Sequence, residues 1–574
     1  MMRWLRWGVL VSLILGLGVA SRAAPGTVEP VENGFPLTLL PGADGPAETV
    51  NEDGKPAVRG VKDDKGNYPA YLYFRVPDRA RRLGGGPVYL QVDYKDVGPG
   101  PLGVQYNAAG EGYRSAARGY GRLMTGSGAY RTAVFELPDP AFRGAQNLGA
   151  DLRLVGPGGK TPLHIVSARL YARPTPLFRA RSARPWLLPY AGPRRNDVDA
   201  STLKGKVLCG YQGWFHAPGD PTERGWVHWS RDSGRIAPET LTVEMWPDMT
   251  EYKRQYPAGA FRYPDGKPAT LFSSADPETV DLHFDWMDRY GIDGVFVQRF
   301  LGGLEDAAEA SRVIGHVRQA AARTGRVFAL EFDMSGTPPE QGLPRMQAYW
   351  RYLVDELKIT EDPRYLKHDG RPVLAVWGFY TDRFSGAWAN RIIDAFKAPG
   401  KYQVTLVGGG QWHWRTERDP EWARAFRRFD VIKPWSVGNL DVRGGVKRAQ
   451  TNYWADDLAE AKRNNMLYLP VIYPGFSWDN LQKTAPGTSL ISRRGGDFFW
   501  EQFTTAQRLG IDTAFVAMFD EVDEGTAIFK VTHTPPTGAH FVTLDGKPSD
   551  WYLRLTGKGT QLLRGAAKAP PNER

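Results

Sequence analysis

The chain has 574 residues, of which 42 % are hydrophobic and 24 % are charged, and its formal net charge at pH 7 is +10. This length is too great for one small core, so two or more domains are expected. The positive charge is spread without a long Lys/Arg run or a nucleic-acid motif, which argues against a nucleic-acid partner.

The N-terminal segment has a basic start, a short apolar stretch and small residues at its end, MMRWLRWGVLVSLILGLGVASRAAPG. This pattern predicts a signal peptide over 1–24, and an uncleaved anchor is the alternative. The segment carries three arginines, so the mature net charge is about +7. Since Cys209 is the only cysteine, no internal disulfide can form, and we expect a secreted or periplasmic bacterial protein without stable membrane insertion after cleavage.

Residues 25–175 alternate short apolar and polar runs with glycine-rich turns, as in YLYFRV (71–76) and YRTAVFEL (130–137). This pattern predicts an antiparallel β-sandwich, which we interpret as an accessory domain with a carbohydrate-binding role as one hypothesis. A Pro/Arg-rich stretch follows and predicts an extended linker over 176–204.

From residue 205 the pattern changes to short apolar strands that alternate with helical segments. The strand candidates are 207–211, 294–300, 326–334, 372–379, 404–410, 430–435, 468–474 and 514–521. Eight such repeats over about 320 residues predict a (β/α)8 TIM barrel over 205–560. An open doubly wound sheet is the alternative, which the lack of a Gly-rich phosphate fingerprint after the first strand disfavours. The tail, 561–574, is predicted to be disordered.

Every predicted barrel strand ends in aromatic or charged residues, and active sites of such barrels lie at the carboxyl ends of the strands. We therefore expect a carbohydrate site lined by aromatic rings that stack on sugars and by polar groups that bind hydroxyls. The expected substrate-binding residues are Tyr211, Trp214, His228, Trp229, Gln298, Arg299, Trp377, Trp412, His413, Lys433, Trp435 and Tyr473.

Two carboxylates, Glu331 and Asp333, lie on the third predicted strand. Residues i and i+2 of a strand share a face, so both would point into the barrel mouth. One interpretation is a structural pair held by Arg299 or Lys433. The other is acid/base catalysis, because glycoside hydrolysis uses two carboxylates across a cleft.

Four acids follow the eighth strand within five residues: Asp520, Glu521, Asp523 and Glu524. A solvated loop is one interpretation, and a wall of the active site is the other. A calcium site is disfavoured because EF-hand spacing is absent, and the histidines lack zinc-site spacing. We therefore predict no metal and no cofactor.

Several segments of 205–535 resemble glycoside hydrolase family 99, the endo-α-mannosidase/mannanase group, and secreted bacterial proteins described as family 71/99-like. The similar segments are GYQGWFHAPGD…GWVHWSRD (210–232), GIDGVFVQRF (291–300), GRVFALEFDM (325–334), DGRPVLAVWGFY (369–380) and MFDEVDEGTAI (518–528). The resemblance implies a (β/α)8 barrel, no metal, and a retaining reaction through a 1,2-anhydro-sugar intermediate.

Position by position, the resemblance implies that Asp333 matches the Glu that assists the sugar 2-hydroxyl as a base, and that Glu331 matches a neighbouring His. The family's acid lies three residues after that Glu, where this chain has Gly336. Glu521 and Glu524 match two Glu of a family motif, so either of them supplies the proton or the mechanism differs.

The sequence therefore predicts a secreted, monomeric glycoside hydrolase that cleaves a polysaccharide or glycan. Asp333 would act as base or nucleophile, Glu521 or Glu331 as acid, and Glu524 as a further catalytic candidate. The alternative is a non-catalytic glycan-binding protein on a glycosidase-like barrel, which Gly336 favours.

Overall fold

The structure is a computed structural model that describes residues 34–42, 44–83, 86–116, 118–120, 122–126, 128–304 and 306–565. The predicted signal peptide lies outside the described residues. The chain divides into two compact units. The first comprises the described residues up to Tyr94 together with Gly103–Gly119 and Thr132–Pro176, and the second comprises Lys95–Leu102, Tyr120–Arg131 and the chain from Leu177 onward.

The N-terminal region contains two antiparallel sheets, as its alternating pattern predicts. The strands of one sheet are Phe35–Pro36, Ala47–Glu52, Lys55–Gly60, Val88–Lys95, Arg118–Tyr120, Tyr130–Leu137 and His164–Tyr171, and those of the other are Thr38–Leu40, Tyr71–Arg75, Gly103–Ala108, Glu111–Ser115 and Leu152–Val155. A short helix, Asp78–Arg81, and a 3₁₀ turn, Asn147–Gly149, complete this region. The sandwich arrangement of the two sheets and its carbohydrate-binding role stay predictions.

The second unit is built on a curled parallel sheet of TIM-like form. Its successive strands, which we call the first to eighth barrel strands, are Val207–Tyr211, Gly294–Phe300, Val327–Asp333, Arg371–Phe379, Thr405–Gln411, Val431–Trp435, the pair Leu467–Tyr468 and Val471–Ile472, and Ala514–Val516. Strand order follows chain order throughout. All eight candidates from the sequence are strands here, with ends shifted by a few residues.

The seventh barrel strand joins the two ends of this sheet. Its first half pairs with the sixth strand and its second half pairs with the eighth, and only two residues separate the halves. The eighth strand also pairs with the first. The parallel order with these pairings favours the predicted barrel over an open doubly wound sheet, in which two edges would stay unpaired.

A helix follows each barrel strand within the described residues. The main helices are Pro277–Tyr290, Arg312–Thr324, Pro339–Asp355, Gly386–Lys397, Pro420–Phe426, Trp454–Arg463, Asp497–Arg508 and Trp551–Leu563. Additional helices are Pro176–Ser182, Ala307–Ala310 and Asp479–Gln482, and 3₁₀ turns lie at Pro185–Leu187, Met249–Glu251, Ile359–Glu361, Trp414–Thr416 and Arg494–Gly496.

Short antiparallel pairs also belong to the second unit. They join Pro99–Pro101 with Leu123–Thr125, Tyr256–Arg262 with Pro268–Leu271, and Leu440–Arg443 with Val446–Ala449, while Lys367–His368 pairs with the fourth barrel strand. None of these three pairs joins the parallel sheet.

The apolar core of the second unit has two parts because side chains alternate across each strand. One part fills the barrel interior and includes Phe296, Ala329, Val373 and Phe515. The other lies between the strands and the surrounding helices and includes Tyr211, Trp229 and Trp286. This alternation decides which polar residues reach the barrel mouth.

The linker prediction expected an extended stretch over 176–204, and this prediction is wrong for part of it. Pro176–Ser182 is a helix, and proline is favoured in the first turn of a helix because its missing N–H has no partner there. Trp186 is buried, its Nε1 donates to the Ala308 carbonyl at 2.9 Å, and the Arg312 guanidinium lies over its ring. At the other end, the final helix reaches Leu563, beyond the predicted start of the tail at 561, and 566–574 lie outside the described residues.

Candidate active site

The carboxyl ends of the barrel strands meet at a mouth lined by carboxylates and aromatic rings. The third and sixth strands are three places apart in the sheet, so their side chains meet only through the barrel interior. Lys433 Nζ, on the sixth strand, donates a hydrogen bond to Glu331 Oε1 on the third. This contact shows that both side chains point inward.

Glu331 and Lys433 form an ion pair that is almost completely buried. The Lys433 ammonium also lies 4.0 Å from the centre of the Phe515 ring. Burial raises the pKa of Glu331, which the Lys433 charge and hydrogen bond oppose, and burial lowers the pKa of Lys433. This is the structural pair that the sequence left open, with Lys433 rather than Arg299 as the partner.

Asp333 lies two residues beyond Glu331 on the same face of the strand and is 3 % exposed. Its Oδ2 accepts from Gln298 Nε2 at 2.5 Å, and its Oδ1 accepts from the Ser335 backbone N–H at 2.7 Å. Burial raises the pKa of Asp333, while these hydrogen bonds act to lower it. The carboxylate is therefore oriented from two sides at the mouth.

The first two acids after the eighth strand are held by the loop that follows the first strand. Asp520 accepts the backbone N–H groups of Gln212 and Gly213, each at 2.8 Å. Burial raises the pKa of Asp520 to about 7. Glu521 accepts from Gln212 Nε2 at 3.0 Å and from Thr526 Oγ1 at 3.3 Å. Burial and the neighbouring acids raise the pKa of Glu521 well above its usual range.

The next two acids differ from each other in their partners. Asp523 Oδ2 lies 3.1 Å from His228 Nδ1. Glu524 keeps some solvent exposure, and no side chain or backbone group of the described residues hydrogen-bonds its carboxylate. Burial, then the charges of Asp523 and Asp333, raise the pKa of Glu524 to about 7. Glu524 follows the eighth strand and Asp333 ends the third, three places apart in the sheet, so both lie at the carboxyl end of the barrel, where the charge of Asp333 acts on Glu524.

Three aromatic side chains and one arginine border this carboxylate pair. Trp377 meets Tyr380 and Trp435 edge to face, with ring centres 5.4 and 5.8 Å apart. The Arg383 guanidinium lies 4.7 Å from the Trp377 ring and donates to Ser335 Oγ at 3.3 Å. Gly409 makes room for the group, because a Cβ there would lie 3.2 Å from Trp377. Partly exposed rings of this kind suit stacking on sugars.

A second aromatic group lies beside the acids. His228, with the left-handed φ of 62°, stacks on Trp214 with ring centres 3.9 Å apart, and Trp214 stacks in turn on Phe300. The enclosed Trp214 Nε1 has no hydrogen-bond partner among the described residues. These rings are therefore already stacked on one another, and their edges face the mouth and an adjoining cavity.

Trp412 and His413 follow the fifth strand. Their rings meet edge to face at 5.3 Å, and Trp412 also packs on Tyr453 at 5.1 Å. His413 is exposed, with its Nδ1 3.4 Å from Gln411 Nε2. No contact within the described part of the chain joins either ring to the carboxylates.

Four expected substrate-binding residues lie elsewhere. Tyr211 and Trp229 belong to the shell between strands and helices, where their polar atoms bond His283 and the Phe272 carbonyl. Tyr473 is buried, and its ring meets that of Phe498 on the helix Asp497–Arg508 edge to face at 5.0 Å. These rings have no free face for a sugar. Arg299 follows the inward-pointing Gln298 and therefore points to the outer side of the strand.

Sequence reasoning missed several residues of the mouth: Gln212, Ser335, Tyr380 and Arg383. The alternation along the first strand could have found Gln212, because it lies two residues after the inward-facing Gly210. The others lie on loops after the third and fourth strands, where no strand periodicity applies.

Among the described residues, no group of three or more His, Cys, Asp and Glu side chains is arranged to hold a metal ion. The same part of the chain includes no helix of the length and apolarity that crossing a bilayer requires. The expectation of no cofactor stays a prediction.

No family model and no curated protein matches the chain. Among solved structures, it is similar to the GH99 endo-alpha-mannosidase from Bacteroides thetaiotaomicron, with 17 % identity over 64 % of this chain and 99 % of that chain and a TM-score of 0.49. It is also similar to a GH5 cellulase from an Icelandic hot spring isolate, with 12 % identity over 55 % of this chain and 97 % of that chain and a TM-score of 0.31. An agarase is similar with 10 % identity over 92 % of this chain and 97 % of that chain and a TM-score of 0.30. These neighbours are glycoside hydrolases, and because every TM-score lies below 0.5, the fold described above rests on the strand pairing.

Proposed function

We propose that the chain is a secreted glycoside hydrolase that acts on a polysaccharide or glycan, with Glu524 as the proton donor and Asp333 as the base or nucleophile. The observation that carries this proposal is that both carboxylates lie at the carboxyl end of the barrel, Asp333 oriented by two hydrogen bonds and Glu524 partly exposed without any from the described residues. Burial raises the pKa of both, and the charge of Asp333 raises that of Glu524 further. Two carboxylates with different environments are the requirement of glycosidic hydrolysis.

The other two candidate acids are less suited to give up a proton to substrate. Glu331 is the hydrogen-bonded partner of Lys433 and is enclosed in the interior, where a substrate has no access to its carboxyl group. Glu521 is enclosed and hydrogen-bonded to Gln212 and Thr526. Only Glu524 combines partial exposure, a pKa near neutrality and a carboxylate without hydrogen bonds from the described residues.

In the proposed reaction, protonated Glu524 donates its proton to the glycosidic oxygen as the bond to the leaving sugar breaks. Asp333 either attacks the anomeric carbon directly or removes a proton from the attacking hydroxyl or water. Gln298 and the Ser335 N–H hold Asp333 in one orientation for this step. Such fixed hydrogen bonds place the reacting oxygen without reorganisation during the reaction.

The rings of Trp377 and Trp435 supply the stacking surface for the sugar next to the carboxylates, and Arg383 supplies donors for its hydroxyls. The family 99-like assignment belongs to this proposal as well. Gly336, which stands where that family has its acid, has φ +70° and open space around its Cα. In this proposal Glu524 supplies the proton that a side chain at 336 would supply.

A screen for released sugars across plant, microbial and host glycans tests the proposal. Once a substrate is found, we expect Asp333→Asn and Glu524→Gln each to lower kcat by orders of magnitude with little change in glycan binding. Glu239→Gln, on an exposed residue paired with Arg235, is the matched control. Full activity of either site variant would contradict the assignment.

The second candidate function is non-catalytic glycan binding, which the missing side chain at Gly336 favours. In that case glycans bind to the mouth, and no reducing ends appear even after long incubation. A binding measurement on the same glycans used in the screen separates the two functions.

A further inference from the structure

A second cavity, of about 420 Å³, lies next to the mouth on the outer side of the first two barrel strands. The Trp214–His228 stack separates it from the acid cluster, since His228 bonds Asp523 on one side and both rings line the cavity on the other. The loops that follow the first and second strands form its remaining walls. Its position is that of a side pocket for a group attached to a sugar bound at the mouth.

Arg299 lies in this cavity without a partner. Its Nε is enclosed, and no hydrogen bond or ion pair within the described residues reaches its guanidinium. Burial lowers the pKa of Arg299, which reflects the cost of holding this charge away from water. A desolvated arginine is ordinarily paired with a carboxylate or another anion, so this one calls for a counter-ion.

A second arginine of the cavity is exposed to solvent, so it adds positive charge there without the desolvation cost of Arg299. Arg224 also lines the cavity, and its only polar contact among the described residues is with His216 Nε2 at 3.5 Å. Its charge is among the causes that lower the pKa of Arg299, so the two guanidinium groups repel each other. Like charges brought together without an anion are typical of a binding site for one.

The acids that line the cavity do not balance these charges. Glu309 binds Arg312 through both carboxylate oxygens. Asp306 pairs with Arg184 at 2.7 Å. Asp520, whose charge acts weakly on Arg299, is occupied by the backbone N–H groups after the first strand. Among the described residues, Arg224 and Arg299 are therefore the arginines of this cavity that have no carboxylate partner.

We infer that this cavity binds an anionic substituent of the glycan, a carboxylate or a sulfate ester, with Arg224 and Arg299 as its ligands. Arginine suits both groups because its planar fork donates two parallel hydrogen bonds. The assignment to a glycan rests on the proposed function, whereas the binding of the anion itself does not. The substrate class is then an acidic polysaccharide rather than a neutral one.

Calorimetric titration of the whole protein tests this inference without any measurement of hydrolysis. The probes are a sulfated oligosaccharide, a uronic-acid oligosaccharide and a neutral oligosaccharide of matched length. Inorganic sulfate is titrated as a further probe and compared with chloride at equal ionic strength. We expect one acidic probe to bind and the neutral probe to bind at least about tenfold more weakly, since hydrogen bonds to charged groups contribute that much. Which acidic probe binds identifies the anion.

The variants Arg224→Gln and Arg299→Gln should each weaken binding of the acidic probe about tenfold or more. Arg424→Gln, which removes one exposed positive charge from the helix Pro420–Phe426, is the control and should leave binding unchanged. Arg299→Met should also raise the melting temperature in anion-free buffer, because it removes a partly buried charge that has no partner among the described residues. This second measurement shows directly whether the variant folds.

Equal binding of neutral and acidic probes, or unchanged binding in both glutamine variants, would overturn the inference. A lower melting temperature for Arg299→Met would do the same, because it would mean that the guanidinium is already satisfied. Anion binding without any hydrolysis would leave this inference standing and would contradict the proposed function instead.

Discussion

Replacing Lys433 with methionine removes one half of the buried ion pair at the centre of the barrel. The Glu331 carboxylate then loses its donor and stays enclosed. Breaking one partner of such a pair costs about 3–5 kcal/mol, because a charge remains buried without compensation. Methionine is the suitable substitute, since the Lys433 side chain lies against the Phe515 and Phe296 rings and a thioether packs well on aromatic rings.

The expected change in melting temperature follows from the size of the unit. The second unit has about 400 residues, so the usual entropy of unfolding is ~0.8 kcal/mol per degree, and Tm should fall by about 4–6 °C. The double variant Glu331→Leu/Lys433→Met is the control. It removes both charges, and we expect it to recover most of the loss.

The loss should also depend on pH. Burial raises the pKa of Glu331, and the lysine acts to lower it, so the pKa rises further in Lys433→Met. When the pKa of a carboxyl group is higher in the folded protein than in the unfolded chain, the free energy of unfolding decreases as pH rises between the two pKa values. The deficit, measured by calorimetry, should therefore be larger at about pH 8 than at about pH 5. Equal melting temperatures of wild type and Lys433→Met at both pH values would refute this reasoning.

Three further predictions concern the mouth. The value of kcat/KM on a confirmed substrate should fall as pH rises above about 7, since Glu524 must hold its proton and burial raises its pKa to about 7. The pH profile of Glu524→Gln should lack this fall. A wild-type profile that still rises above pH 7 would argue against Glu524 as the acid. Activity should also fall toward acid pH, because burial raises the pKa of Asp333 and this carboxylate becomes protonated there. The residual activity of Asp333→Asn should no longer show this fall at acid pH. Trp377→Ala should weaken glycan binding about tenfold or more because it removes a stacking surface. Trp229→Phe, the control, should leave binding unchanged when both variants are titrated with the glycan. Equal effects of the two substitutions would mean that the sugar does not stack on Trp377.

The arrangement of strands could be predicted from the sequence because buried parallel strands are short apolar runs separated by helices. The runs at Val207–Tyr211 and Val431–Trp435, for example, coincide with barrel strands almost to the residue. The seventh strand was less regular: it divides at Leu469 and Pro470, and proline lacks the N–H that a continuous ladder needs.

The candidate site could be predicted only in part, because residue type does not determine on which side of a strand a residue lies. Trp229 and Trp377 are both tryptophans expected to bind the sugar, yet the first is in the shell under the helices and the second is at the mouth. For Gln298 and Arg299, consecutive positions already meant that only one could face inward. Ser335 and Arg383 lie on loops, and their positions depend on tertiary contacts.

The acid cluster after the eighth strand divides into three residues that are hydrogen-bonded at the mouth and one, Glu524, whose carboxylate accepts no hydrogen bond from the described residues. Asp520 ties the first-strand loop to the eighth strand through two backbone N–H groups. Glu521 and Asp523 bind Gln212 and His228 of the same region. Burial first, and then the charges of Asp523 and Asp333, raise the pKa of Glu524 to about 7. The three bonded acids thus hold the loops around Glu524, and its raised pKa is what the proposed role of general acid requires.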